Sequence, residues 1–220
     1  MIVGDCPHSQ SAADFMPRKR DLKSLKRAAR KCQGCPIYCN ATQTVFGAGP
    51  ESAILMFVGE QPGDQEDRAG APFVGPAGVV LDEVMRESGI ERDRVYVTNA
   101  VKHFKFEPRG KRRIHSKPNA REIAACRPWL EAEIAAIQPK MIVCLGATAA
   151  RSLLGPSFKL MQHRGEAIDE RWADWMMATV HPSSLLRIPD REARHKARAQ
   201  FLDDLRKVAR AMKKFEKEAG

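Results

Sequence analysis

Residues 53–63 read AILMFVGEQPG: six apolar side chains in succession, then a glycine, two polar residues and a Pro-Gly turn. A short run with apolar residues at both alternations suits a strand covered on both faces, and the turn residues end it. Working outward, the punctuation recurs. Helical patterns over 77–88, 119–137, 148–154 and 190–212 alternate with apolar runs at 95–98, 141–145 and 175–180. Apolar runs separated by helix-length segments predict an α/β single domain with a central four-stranded parallel sheet flanked by helices.

The 220-residue chain is long enough for one sizeable core, and 43% of its residues are hydrophobic. The expected division is an N-terminal extension over 1–28, a domain over 29–212 and a C-terminal tail over 213–220. Lys and Arg number 37 against 27 Asp and Glu, a net charge of +10 that favours polyanionic partners, nucleic acid first. No apolar run nears the roughly 20 residues a membrane span needs, and the start lacks a signal-peptide pattern, so a cytoplasmic, membrane-free protein is expected. Six cysteines, Cys6, Cys32, Cys35, Cys39, Cys126 and Cys144, could form disulfides, but a chain of this size needs none, and metal ligation is the better reading for some of them.

In open α/β sheets the working groups gather beyond the carboxyl ends of the strands. After the four apolar runs come Gly59-Glu60-Gln61-Pro62-Gly63, then Asn99, then Gly146-Ala147-Thr148, then His181-Pro182-Ser183-Ser184. Each is an ordinary turn or cap by itself. Their convergence at one rim points to a ligand site. A dinucleotide or P-loop enzyme is disfavoured, since neither GxGxxG nor a Walker lysine motif follows the first run.

The strings VFGAGPESAILMFVGEQPGDQEDRAGAPFVGPAG, YVTNAVK, ACRPWLEAEIAAIQPKMIVCLGATAARSLLG and TVHPSSLLR closely resemble the iron–sulfur uracil-DNA glycosylases called family 4, from about Cys32 to about Leu205. One departure is specific. Between Asn99 and Cys126 the chain reads AVKHFKFEPRGKRRIHSKP, and its KRRIH segment resembles the UdgX-type branch of the superfamily. The resemblance implies the uracil-DNA glycosylase fold, excision of uracil from DNA, expected to be single-stranded, with free uracil as product, and a [4Fe–4S] cluster. A monomer would suffice.

The resemblance places Phe73 as the face on which uracil stacks, where a base–aromatic contact contributes about 1–3 kcal/mol. Asn99 would read the uracil edge, its amide donating to one atom and accepting from the neighbour. Gly59 lines the same pocket. His181 would donate to the uracil oxygen that gains charge as the glycosidic bond breaks. Glu60 would stabilise the cationic sugar, Gln61 would contribute pocket contacts, and Ser183 and Ser184 would bind phosphates or simply cap a helix.

The stretch 102–117 holds Lys102, Lys105, Arg109, Lys111, Arg112, Arg113 and Lys117 with Phe104 and Phe106 interleaved, which reads as a solvated DNA-binding loop. His115 on such a loop is ordinarily a phosphate contact. In the branch it resembles, the matching histidine bonds covalently to the abasic sugar, with Glu60 as its orienter, directly or through Arg113. Two other readings stay open: turnover with His115 only contacting DNA, and a non-catalytic DNA-binding module.

For the cluster, Cys32, Cys35 and Cys126 are thiolate ligands by resemblance. Family 4 members place a cysteine after the lysine matching Lys102. Here it is His103, so Cys32, Cys35, His103 and Cys126 form the expected set, with Cys39 the alternative to His103. A structural zinc would fit similar residues. Cys144, inside MIVCLG, reads as a core thiol.

Overall fold

The structure is a computed structural model and describes residues 6–219. Its elements in chain order are α1 (Leu22–Ala29), β1 (Leu55–Gly59), α2 (Asp64–Ala69), α3 (Pro76–Ser88), β2 (Val95–Asn99), β3 (Phe106–Arg109), β4 (Arg112–His115), α4 (Ala120–Ile137), β5 (Met141–Leu145), α5 (Ala147–Leu154), β6 (Ala167–Glu170), β7 (Ala173–Thr179), α6 (Pro182–Leu186) and α7 (Arg191–Ala219). The four expected strands pair in parallel, and the sheet runs β2-β1-β5-β7-β6. The fifth, β6, pairs antiparallel to β7 at the edge. Its sequence, Ala-Ile-Asp-Glu, is only half buried, which is why no apolar run marks it.

Alternate residues of each parallel strand feed two cores. Leu55 and Phe57, Val95 and Val97, and Met141 and Val143 meet Leu81, Val84 and Met85 of α3 and Phe201, Leu205 and Val208 of α7. Met56, Val58, Ile142 and Cys144 meet Leu130, Ile134 and Ile137 of α4 and Ala149, Ala150 and Leu153 of α5. Burial on both faces explains the continuous apolar strand sequences. Asn119 and Glu122 close α4 reciprocally: Glu122 N–H donates to Asn119 Oδ1 at 2.9 Å and Asn119 N–H to Glu122 Oε2 at 2.7 Å.

Successive connections leave the middle of the sheet in opposite directions between β1 and β5, which sets the crevice at their carboxyl ends. Both chain ends are more structured than expected. A single helical turn over Ala12–Phe15 packs on α4, with Ala12 fully buried. Helix α7 runs past the boundary expected at 212, because Phe215 still packs against the core. Residues 1–5 of the expected extension lie outside the described residues.

Candidate active site at the carboxyl ends of the strands

Gly59 ends β1 where two side chains converge. A Cβ there would stand 2.3 Å from Asn99 Oδ1 and 2.7 Å from Phe73 Cζ, so only glycine lets the Asn99 amide and the Phe73 ring share one floor. Both are buried, Asn99 at the end of β2 and Phe73 on the loop before α3. Phe73 holds φ at +56°, a left-handed conformation costly for an aromatic residue. Glu66 holds that loop in place, its carboxylate accepting from Gly75 N–H at 2.7 Å and Gly63 N–H at 3.1 Å. Sequence reading passed over Glu66, although its position three residues into a helix after a Gly is a capping signal.

Glu60 bridges the crevice. One carboxylate oxygen accepts from the Thr148 hydroxyl at the start of α5, and the other lies 3.4 Å from His115 Nε2. The His115 side chain is half exposed. Burial is the largest influence on its pKa and lowers it; Glu60 works against that and Arg187 with it, leaving the ring more readily neutral than a free histidine. A neutral imidazole keeps a nucleophilic lone pair.

The expected solvated loop is an antiparallel hairpin, β3–β4, and its cations divide by role. Register pairs Phe106 with His115, Glu107 with Ile114, Pro108 with Arg113 and Arg109 with Arg112. Arg113 does not reach Glu60, as a relay to His115 would need. It donates to Asp64 Oδ1 at 2.5 Å and Asp67 Oδ2 at 2.6 Å and stacks over Phe104 and Phe106. Asp64 and Asp67 lie three apart on one face of α2, a spacing legible in the sequence once the partner is known. Gln61 pins the hairpin base: its Nε2 donates to Lys105 and Ser116 carbonyls, each at 3.1 Å, and its Oε1 accepts from Lys105 N–H at 3.2 Å. That amide is used on the protein, at the base of the hairpin that carries His115.

Two residues assigned to the DNA-facing loop are interior. Phe104 is buried and stacks on Phe106, with ring centroids 5.2 Å apart. Lys102 is fully buried; its ammonium binds Glu133, Thr98 Oγ1 at 2.6 Å and the Asn99 carbonyl at 2.7 Å. Glu133 also accepts from Tyr96 and Gly47, so the charge pair is enclosed by hydrogen bonds, as a buried pair requires. Lys105 pairs with Glu122 at 2.8 Å.

His181 follows β7 and caps α6. Its Nδ1 accepts from Ser183 N–H at 3.2 Å, which leaves the proton of the neutral ring on Nε2, free to donate. Burial, Arg187 and His115 bring its pKa down to about 4. The ring lies 6.0 Å from Phe73 at 28°. Both serines act in the cap: Ser183 Oγ lies 2.8 Å from His181 Nδ1 and accepts from Arg187, and Ser184 Oγ donates to the His181 carbonyl at 2.7 Å.

Cys32, Cys35 and Cys126 are buried free thiols in a third core under α4, close enough to influence one another's ionisation. Lys102 N–H and Trp129 Nε1–H donate to Cys126 and Cys32 sulfurs, each at 3.2 Å, as thiolate ligands need. Burial pushes the Cys35 thiol up to about 11 and raises those of Cys32 and Cys126. His103 is buried and lines a cavity of about 160 Å³ together with Cys32. Thr44 Oγ1 spends its proton on the Ala29 carbonyl at 2.7 Å, so it accepts from His103 Nε2, 2.9 Å away. Nδ1 is then a bare lone pair, and it has no hydrogen-bond partner among the described residues. Three buried thiols and an imidazole with a free lone pair are the donor types an iron–sulfur cluster takes. Among the described residues, no three of His, Cys, Asp or Glu stand together as a group that could hold a metal ion. Cys39 pairs with Cys6 in a disulfide, a bridge that a chain of this size does not need for its core. Cys144 is fully buried in the core, its thiol pushed up to about 12 by burial.

No helix among the described residues is long and apolar enough to cross a membrane. The family model described as the uracil DNA glycosylase superfamily matches residues 46–206. A type-4 uracil-DNA glycosylase of Thermotoga maritima is 38% identical over 198 residues, covering 90% of this chain and 97% of its own. One from Archaeoglobus fulgidus is 33% identical over 194 residues, covering 85% and 91%. A type-5 uracil-DNA glycosylase of Pyrobaculum aerophilum is 33% identical over 155 residues, covering 62% and 64%. With a doubly covered sheet and a strand-end crevice as its frame, the chain belongs to the uracil DNA glycosylase superfamily, a family of DNA repair proteins.

Proposed function

We propose that this protein excises uracil from single-stranded DNA and is captured by its product through His115. The observation that carries the reading is the 3.4 Å approach of His115 Nε2 to Glu60 at the mouth of the pocket floored by Gly59, Asn99 and Phe73. The extruded uracil stacks on Phe73, and the Asn99 amide matches its edge, a pattern cytosine reverses. As the C1′–N1 bond breaks, its electron pair leaves with uracil, and His181 Nε2–H donates to the oxygen that becomes negative. Glu60 faces the cationic sugar. A His115 nitrogen gives its lone pair to C1′, and the alkylated ring then gives up its remaining N–H proton, which solvent carries to the uracil anion.

Cys32, Cys35, His103 and Cys126 would hold a [4Fe–4S] cluster, which when bound cross-links the N-terminal segment to the start of α4. The sequence between Asn99 and Cys126 contains the whole hairpin, so this tie bears on where His115 sits. The test is a denaturing gel. Protein mixed with uracil-containing single-stranded DNA gives a species that survives hot denaturant, and His115→Ala abolishes it. Uracil release in multiple turnovers without that species would overturn self-capture and leave a turnover glycosylase.

A further inference from the structure

The hairpin has two faces. Phe106, Pro108, Arg113 and His115 share the one turned to the domain, where Arg113 is neutralised by Asp64 and Asp67. Glu107, Arg109, Arg112 and Ile114 share the other, and all four are exposed. Among the described residues, Arg109, Arg112 and the turn residue Lys111 have no carboxylate within ion-pair distance, in contrast to Lys105 and Arg113. The Glu107 carboxylate accepts from Ser116 at 3.4 Å. Ile114, adjacent to His115, is 41% exposed and offers an apolar surface among these cations. Val74, next to Phe73 in the chain, and Leu186, on the helix capped by His181, are exposed as well.

We propose that the outer face of the β3–β4 hairpin docks the DNA strand flanking the extruded nucleotide, with Arg109, Lys111 and Arg112 on phosphates and Ile114 against a neighbouring base. The inference rests on the reading of the crevice as a site for uracil in DNA. It commits to nucleic acid because unpaired cations beside an exposed apolar side chain match a polyanion that also presents base faces, and because the same short hairpin carries His115 on its other face. Phe104 is interior, so the apolar residue this face offers to a base is Ile114.

The test measures the dissociation constant for uracil-free single-stranded DNA against salt concentration. The triple variant Arg109→Ala, Lys111→Ala, Arg112→Ala is expected to lower the log–log slope by about two, at about 0.7 per phosphate contact on a single strand. A control with equal charge change on the exposed side of α1, Lys23→Ala, Lys26→Ala, Arg27→Ala, keeps the wild-type slope. Ile114→Ser weakens binding about tenfold at fixed salt with the slope unchanged. An unchanged slope in the hairpin variant, an equal loss in the control, or full affinity in Ile114→Ser would each overturn the docking face. Denaturant-resistant adduct formation by the wild type is read separately: its absence with the slope change intact would defeat self-capture and leave the arm standing.

Discussion

At the residue scale the decisive contacts are short-range and chemically distinct. His115 is held toward its neutral form by burial, so in the proposed capture it keeps its lone pair below the usual histidine value of 6.5. The sign follows: above 6.5 the ring is neutral and the single-turnover capture rate is flat, and the rate falls only as pH drops through the lowered value. A rate that falls with a midpoint above 6.5 would mean another group controls the step. Gly59→Ala would set a methyl group against Asn99 and Phe73. Overpacking of about 1–3 kcal/mol converts to a loss of capture rate of at least about fivefold, measurable by timed gel assay. His115 was legible only through its family resemblance, since a histidine in a basic stretch carries no mark of nucleophilicity. Its approach to Glu60 is a tertiary fact.

Among elements, the hairpin distinguishes this crevice, and its support comes from residues with no obvious chemistry. Gln61 satisfies three backbone groups at its base, and Arg113 locks its inner face to α2. Gln61→Ala forfeits about 1 kcal/mol for each hydrogen bond. Expected is a drop in adduct yield larger than the drop in uracil released, measured side by side on one reaction. Equal losses would place Gln61 in the pocket after all. Asp67 is fully buried and also accepts from Thr42 N–H at 3.0 Å, so Asp67→Asn, which removes the charge facing Arg113 while its amide oxygen can still accept from Thr42, is expected to lower the melting temperature together with capture. Sequence periodicity located the parallel strands to within a few residues, because double-sided burial imposes an apolar code on them, and it found the long helices but stopped α7 short of its end at Ala219. It could not locate β6 or the hairpin. A polar edge strand and a cation-rich ribbon, stabilised by Asp64, Asp67 and Gln61 from elsewhere in the chain, have no local pattern strong enough to read.

Across the whole molecule, the cysteine core and the crevice share one wall. Lys102 donates its backbone N–H to Cys126 and its ammonium to the carbonyl of Asn99, while the next residue, His103, offers a bare ring nitrogen. Cys126→Ser is expected to abolish the visible thiolate-to-iron absorbance of purified protein. His103→Cys, which restores an all-thiolate set, is expected to keep that absorbance and lower the reduction potential, since imidazole ligation raises it. An unaltered potential would remove His103 from the ligand set. The cysteines are expected ligands by resemblance alone, whereas the pairing of Cys39 with Cys6 is a contact between distant segments that only the fold supplies.

The most direct measurement is mass spectrometry of the protein–DNA species after nuclease and protease digestion. The account predicts a deoxyribose remnant, without uracil, on the peptide containing Arg113-Ile114-His115, with fragmentation placing it on the His115 ring. A remnant on another side chain, or intact unmodified His115 peptide from protein that has released a full equivalent of uracil, would contradict it.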